Sequence, residues 1–243
     1  MTDGSYLQGI RTSYDTVAES YADLVRPSEP WESSMLTAFA ELVLRTDAGE
    51  ADASAERVLG AALVPDAGQV LGARQVSGRV LDAGCGPGRV TARLHSLGLP
   101  AFGVDLSPGM IEIAQRDHPG VEFAVGSMTD LDLKDGELAG VLSWWSIVHL
   151  PREILPTAFA EFHRVLTPGG RLLVGFHVGD THSHKDSGYG GHPMSLDVYR
   201  WQPDQLAALA AEAGFTLHAQ VVIDPTAAVP GACLFFQKPV AAA

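Results

Sequence analysis

Cysteine is scarce in this chain, and so are basic residues and long apolar runs. The only two cysteines, Cys85 and Cys233, lie far apart in sequence, which gives neither a disulfide framework nor zinc-ligand spacing. Lysine and arginine number 16 against 29 acidic residues, a formal net charge of −13, and no cluster of basic residues occurs. An acidic surface repels a phosphate backbone, so nucleic acid is not an expected partner. The longest apolar stretches, such as 139–148 with its embedded serines, are too short to span a bilayer. The opening MTDGSYLQGI shows no basic–apolar–small signal pattern. The expectation is a soluble, cytoplasmic protein with no membrane partner. Residues 46–77 contain no aromatic side chain and are rich in Ala, Gly, Asp and Ser. They read as an insertion or mobile linker, to which no function is assigned.

What is present is a globular composition, 46% hydrophobic and 19% charged over 243 residues, enough to bury a full core. Residues 1–45 carry two helical patterns, with Tyr14, Val17, Ala18 and Tyr21 in the first and Met35, Leu36, Phe39, Leu42 and Val43 in the second. From 78 to 243 apolar strand patterns alternate with helical ones: strands near 79–82, 101–105, 121–125, 138–143, 171–176, 215–223 and 232–237. Such alternation predicts an α/β fold, a doubly wound, mostly parallel, seven-stranded Rossmann-like sheet covered on both faces.

The chain is organised around VLDAGCGPGRVT, residues 80–91. An apolar strand ends in Asp82, glycines follow at 84, 86 and 88, and an amphipathic helix begins. Glycine allows positive φ and a close ligand approach, and a helix start offers free N–H groups to an anion. The next strand, AFGVD, ends in Asp105, whose carboxylate is placed to accept from two vicinal hydroxyls, as on a ribose. Ser107 can cap the following helix, which leaves Asp105 free for that task. The dinucleotide fingerprint is G-x-G-x-x-G; here the series is G-x-G-x-G, with Arg89 where the wider spacing would put glycine.

These residues resemble the class I S-adenosylmethionine-dependent methyltransferases. The family's first motif, V-L-D-x-G-C-G-x-G, matches residues 80–88, and GVDLSPGM (103–110), HRVLTPGG (163–170), EAGF (212–215) and YDTVAESY (14–21) are similar to its other segments. GSM (126–128), SIVHLP (146–151) and LLVGFH (172–177) resemble a group of small bacterial methyltransferases of unassigned substrate. The resemblance implies S-adenosyl-L-methionine as cofactor and a small-molecule acceptor methylated at oxygen or nitrogen. It further implies that Gly84, Gly86 and Gly88 pass the methionine portion while Asp82 orders the turn. Asp105 would hold the ribose hydroxyls, Leu106 and Met110 would flank the adenine, and Ser127 and Met128 would meet its edge. Trp144 would line the cofactor near its sulfonium. Residues 1–45 become a helical lid in which Tyr14 and Tyr21 fold over the cofactor; read without the resemblance, both tyrosines are packing residues. A homodimer is the candidate assembly, and no metal is expected.

Methyl transfer from a sulfonium needs alignment and exclusion of water, and a hydroxyl acceptor also needs a base. His149, after the fourth strand, and His177, at the end of the fifth, are the candidate catalytic residues. His149 could equally order the turn before Pro151. The segment 177–192 holds four histidines and reads as a flexible flap over substrate rather than a metal site. Trp145, Tyr189, Tyr199 and Trp201 are candidates for aromatic walls. Two rival readings are an NAD(P)-dependent oxidoreductase on a similar sheet and a non-catalytic S-adenosylmethionine-binding regulator.

Overall fold

A computed structural model describes residues 3–25, 30–47 and 78–240. Most of the insertion read at 46–77 lies outside the described residues. Two helices come first, α1 (Asp3–Leu24) and α2 (Pro30–Asp47). The core follows as β1 (Arg79–Ala83), α3 (Arg89–Ser96), β2 (Ala101–Asp105), α4 (Pro108–Asp117), β3 (Glu122–Val125) and β4 (Leu138–Trp144). A 3-10 turn (Ile147–His149) leads to α5 (Leu155–Val165) and β5 (Leu166–His177). Then come β6 (His182–Gly188), β7 (His192–Tyr199), α6 (Pro203–Glu212), β8 (Thr216–Ile223) and β9 (Gly231–Gln237).

Seven strands form one sheet in the order β3-β2-β1-β4-β5-β9-β8. The first five are parallel and β9 runs antiparallel to both its neighbours. The doubly wound Rossmann-like sheet expected from the strand pattern is therefore present. Its inner strands are apolar on both faces, as burial on both faces demands. On one face Leu81, Val141 and Leu172 pack against Phe159 and Phe162 of α5 and Leu206 of α6; on the other, Val80, Leu142 and Leu173 meet Phe39, Leu42 and Val43 of α2. The chain order reverses between β1 and β4, so the crevice beyond the carboxyl ends of these strands is where a ligand sits in such sheets.

Three observations bear on how that crevice is covered. First, α4 starts at Ser107, whose Oγ accepts from the Met110 N–H at 3.1 Å. Second, Asp15 of α1 reaches the same helix start: its carboxylate accepts from Ser107 Oγ at 2.5 Å and from the Gly109 N–H at 3.0 Å. A carboxylate at a helix N-terminus is favourable, and this one locks α1 to α4. Third, the histidine-rich segment expected as an irregular flap is a β-hairpin, β6 paired with β7 and turned at 189–191. Met194 and Leu196 of β7 bury themselves against Ile10 and Val17 of α1. Ser13 Oγ both donates to the carbonyl and accepts from the N–H of Ser195, each at 3.0 Å. Helix α1 is thus clamped between α4 and the hairpin, over the carboxyl edge of the sheet.

Candidate active site

The glycine turn is held by the neighbouring strand. The N–H groups of Gly84 and Cys85 both donate to the Val104 carbonyl, at 2.7 and 3.1 Å. The Gly86 N–H donates to Asp105 Oδ2 at 2.8 Å, and the Ser107 N–H to Asp105 Oδ1 at 2.9 Å. A carboxylate offers about four lone-pair sites, so Asp105 keeps acceptor capacity beyond these two bonds. The glycines differ in what surrounds them. At Gly88, with φ +81°, a Cβ would lie 2.6 Å from Phe123 Cζ, so this glycine serves the tight strand-to-helix turn. At Gly86, with φ +52°, a Cβ would meet only Tyr21 Cε1 at 3.8 Å. Gly86 therefore presents bare backbone to open space roofed by a lid tyrosine.

Asp82 is buried beneath this turn. Its Oδ2 accepts from Thr91 Oγ1 at 2.7 Å, while its buried Oδ1 has no partner among the described residues. Burial pushes its pKa up to about 7, against the lowering effect of the Thr91 bond. Removing water from a carboxylate disfavours its charged form, and an unpaired oxygen leaves that cost standing.

Two adjoining cavities occupy the crevice. The smaller, 70 Å³, is bordered by Asp105, Leu106, Met110, Ser127 and Met128. The larger, 460 Å³, is bordered by Asp82, Trp31, Arg89, His177 and Tyr189. Tyr14, Tyr21, Gly84, Gly86, Trp144 and His149 border both, and so mark the junction. Of the cofactor and catalytic residues singled out from the sequence, Gly88 alone borders neither. Of the four candidate wall residues, Trp145 and Tyr189 border the site, whereas Tyr199 stacks on His182 and Trp201 is buried beneath Arg152, away from both cavities.

The larger cavity has an aromatic wall. Trp144 and Trp145 lie edge-to-face with centroids 4.8 Å apart, and Trp31 of α2 sits 6.0 and 5.5 Å from them. Glu32 of α2 organises the wall: it accepts from Arg89 Nη1 and Nη2 at 2.5 and 2.9 Å and from Trp144 Nε1 at 3.2 Å. Trp145 takes φ +53°, a strained conformation for a bulky residue. Its Nε1–H donates to His177 Nδ1 at 3.2 Å. An indole only donates, so a neutral His177 carries its hydrogen on Nε2. Burial holds His177 below the usual histidine range. Gly175 makes room for this ring; a Cβ there would fall 2.5 Å from Trp145 Cζ3 and 2.7 Å from Cε3. Gly175→Ala is accordingly expected to cost about 1–3 kcal/mol by overpacking. Differential scanning calorimetry should show a fall of several degrees in Tm, and an unchanged Tm would contradict this packing.

At the junction stands the second histidine. His149 Nδ1 lies 3.0 Å from the Asp197 carbonyl and Nε2 lies 2.6 Å from Tyr14 Oη. A carbonyl only accepts, so Nδ1 carries the hydrogen and Nε2 accepts from the Tyr14 hydroxyl. Burial pushes the His149 pKa down to about 4. Tyr6 Oη donates to the His149 carbonyl at 2.6 Å, tying a second α1 tyrosine to the same turn. Burial likewise holds Tyr14 and Tyr21 well above the usual phenol range. Tyr21 rests edge-on against Tyr14 at 5.7 Å and against Tyr189 of the hairpin at 4.8 Å.

Sequence reading did not find Asp15, Glu32 or Arg89 as site-forming residues. Each acts through a partner 57 or more positions away; Asp15 and Arg89 lay inside sequence motifs, but nothing near them in sequence pointed to those partners. Of the segment's histidines, only His177 borders the site; His184 instead pairs with Asp197 Oδ1 at 2.9 Å on the hairpin's outer side. Among the described residues no three histidine, cysteine or acidic side chains converge as a metal site, and no helix is long and apolar enough to cross a membrane.

Comparison with known proteins agrees with this geometry. Residues 80–170 match the family model described as a methyltransferase domain. A malonyl-[acyl-carrier protein] O-methyltransferase of Serratia marcescens is 33% identical over 116 residues, 46% of this chain and 45% of that protein. A demethylmenaquinone methyltransferase of Renibacterium salmoninarum is 33% identical over 98 residues, 40% of each. The chain spans about half or less of the length of the curated relatives it matches. The fold extends further: the structure of a Burkholderia thailandensis 1,6-didemethyltoxoflavin-N1-methyltransferase, with 1,6-didemethyltoxoflavin and S-adenosylhomocysteine bound, superposes with a TM-score of 0.64. That match has 20% identity and covers 98% of this chain and 91% of that one, a likeness of fold.

Proposed function

We propose that this chain, whose residues 80–170 match a methyltransferase-domain family model, is a class I S-adenosylmethionine-dependent methyltransferase that methylates a small, planar organic acceptor at oxygen or nitrogen. The observation that carries this reading is the pair of adjoining cavities: one ends at an acid suited to a ribose, the other at an aromatic wall, and Gly86 lies between them. S-adenosylmethionine supplies an activated methyl on a sulfonium. The residues present fit that group. Gly86 leaves bare backbone facing open space, and the orphaned Oδ1 of Asp82 awaits a donor such as an α-ammonium. Asp105 holds the ribose hydroxyls with the capacity left after its two backbone bonds. Leu106, Met110, Ser127 and Met128 enclose the base in the narrower cavity, and Tyr14 and Tyr21 close over it.

On the far side of the junction, Trp31, Trp144 and Trp145 offer ring faces and edges to a flat acceptor, and Trp144 also offers a π-face to a cation. Neutral His177 can donate from Nε2 to an acceptor heteroatom. Helix α1 and the hairpin exclude water from the junction, which keeps the methyl from being lost to hydrolysis. Support for a small acceptor also comes from the neighbour of similar fold, an N1-methyltransferase whose structure holds 1,6-didemethyltoxoflavin beside S-adenosylhomocysteine.

The test is calorimetric titration of the purified chain with S-adenosylhomocysteine and, separately, with NAD. Binding of the former with a rise in Tm is expected, since a ligand at 100 times its Kd adds about 2.7 kcal/mol of stability. Preference for NAD would overturn the reading in favour of an oxidoreductase.

A further inference from the structure

We propose that Tyr14 and His149 form a two-member proton relay, that Tyr14 Oη is the atom receiving the acceptor's proton, and that the acceptor is therefore an aromatic or enolic hydroxyl compound. The inference rests on the methyltransferase reading above and deepens it. A histidine near the sheet's carboxyl edge would ordinarily be taken as the base itself. Here both ring nitrogens are already engaged: Nδ1 with the Asp197 carbonyl at 3.0 Å and Nε2 with Tyr14 Oη at 2.6 Å. His149 and Tyr14 both border the junction of the two cavities, but both His149 ring nitrogens are engaged, whereas Tyr14 Oη donates its one hydrogen to Nε2 and keeps acceptor lone pairs. An acceptor hydroxyl at the junction therefore meets a phenol oxygen able to accept, not an open imidazole nitrogen.

The geometry also sets the direction of proton flow. With its Nδ1 hydrogen committed to a carbonyl, His149 has one free lone pair, on Nε2, and the Tyr14 hydroxyl points its hydrogen there. Tyr14 Oη is left with lone pairs able to accept from an acceptor O–H. In the reaction the acceptor oxygen forms a bond to the methyl carbon, the sulfur–carbon bond breaks, and its electron pair stays on sulfur as a neutral thioether. The acceptor's proton passes to Tyr14 Oη while Tyr14's own proton passes to His149 Nε2. One positive charge, first on sulfur, ends on the imidazole, so the closed site holds the same net charge before and after. The proton leaves to water when the site opens. A neutral amine carries its nucleophilic pair already and has no need of this path.

The groups facing the relay come from five elements. Tyr14 and Tyr21 lie on α1, His177 on β5, Lys185 on β6, Tyr189 on the hairpin turn, and Asp105 at the end of β2. Lys185 and His177 act on His149 in the same direction as its burial, keeping it neutral. His149 therefore stays unprotonated, its Nε2 lone pair open to the Tyr14 hydroxyl, across the neutral range, and the acid limb falls near pH 4, not near 6.5.

The test uses the whole chain with S-adenosylhomocysteine or radiolabelled methyl donor, and the probe pairs 1-naphthol with 1-naphthylamine and catechol with ortho-phenylenediamine. The hydroxyl member of a pair is expected to be methylated. Tyr14→Phe and His149→Gln should each lower its kcat by about 10²–10⁴-fold, and the double variant by no more than either alone. S-adenosylhomocysteine affinity should survive Tyr14→Phe, which keeps the ring over the cofactor, and His149→Gln, whose amide can still donate to the Asp197 carbonyl. A strut that merely holds α1 in place would be equally non-additive, because either change breaks the same bond, but it would lower Tm and S-adenosylhomocysteine affinity together with kcat. Nitrogen-15 spectra of the histidine-labelled complex, which require no acceptor, should show His149 as the neutral Nδ1–H form down to pH 5, with an Nε2 resonance that moves on Tyr14→Phe. Methylation of the amines with Tyr14→Phe fully active, an Nε2–H form, or titration of His149 near 6.5 would each overturn the relay. Failure of the unmodified chain to bind S-adenosylhomocysteine would instead overturn the reading beneath it.

Discussion

Asp105→Ala is expected to weaken S-adenosylhomocysteine binding by about 10²–10⁴-fold, the largest effect of any single change at the cofactor side. The magnitude follows from what the carboxylate is asked to hold. Two ribose hydroxyls donating to a charged acceptor contribute about 1.5–3 kcal/mol each, and each 1.4 kcal/mol is tenfold in affinity. The same side chain accepts from the Gly86 and Ser107 N–H groups. Its loss therefore also frees the glycine turn that passes the ligand. Asp105→Asn separates the two roles: its one carbonyl oxygen can keep a single N–H in place, so its affinity should fall between those of the other two proteins. Burial raises the Asp105 pKa against the lowering effect of those backbone bonds. Binding that needs the carboxylate must then weaken as pH falls into the range where the group takes up its proton, and recover above it. Calorimetry across pH checks both points. An Ala variant that keeps its affinity would remove Asp105 from the ribose site and leave it a strut for the turn.

How much of this was legible in the sequence depends on how far each interaction reaches along the chain. The parallel core was legible because its strands are unbroken apolar runs punctuated by glycine and proline: Val80 and Leu81 sit with no exposure where the run predicts them. Asp82, Asp105 and the glycines were legible because a tight turn needs neighbours in sequence. The hairpin of β6 and β7 was legible as a cover but not as paired strands. Six of the seven residues of β6 are exposed, and nothing apolar there announces a strand. The alternation of Met194 and Leu196 behind the Tyr189–Gly191 turn was the available signal, obscured by the histidines around it. Tyr14 and His149 were each singled out for separate reasons, but their pairing spans 135 positions and exists only once α1 is docked. The docking itself depends on Asp15, 92 positions from the helix start it caps. Side-chain bonds of that reach leave no periodic trace.

The same reasoning makes Glu32 the residue whose loss should most damage the acceptor side. Its side chain is 9% exposed and it accepts three hydrogen bonds, two from Arg89 and one from Trp144. Glu32→Ala leaves Arg89, itself only 27% exposed, as a partly buried cation without its partner. Breaking a fully buried pair costs about 3–5 kcal/mol, and the remaining solvent access of Arg89 discounts this to about 2–3 kcal/mol. At about 2–4 °C per kcal/mol for a chain of this size, the expected fall in Tm is about 4–12 °C. A double variant, Glu32→Met with Arg89→Met, should recover part of that loss, because it removes the stranded charge instead of exposing it to an apolar wall. S-adenosylhomocysteine affinity should change far less than with Asp105→Ala, since Glu32 does not border the narrower cavity read as holding ribose and base. The two variants thus divide the crevice: one empties the cofactor side, the other unmoors Trp144 and with it α2 from the wall that faces the acceptor. If Glu32→Ala kept its Tm, α2 would be only a cover for the sheet, and the aromatic wall would have to be held by the Trp145–His177 contact alone.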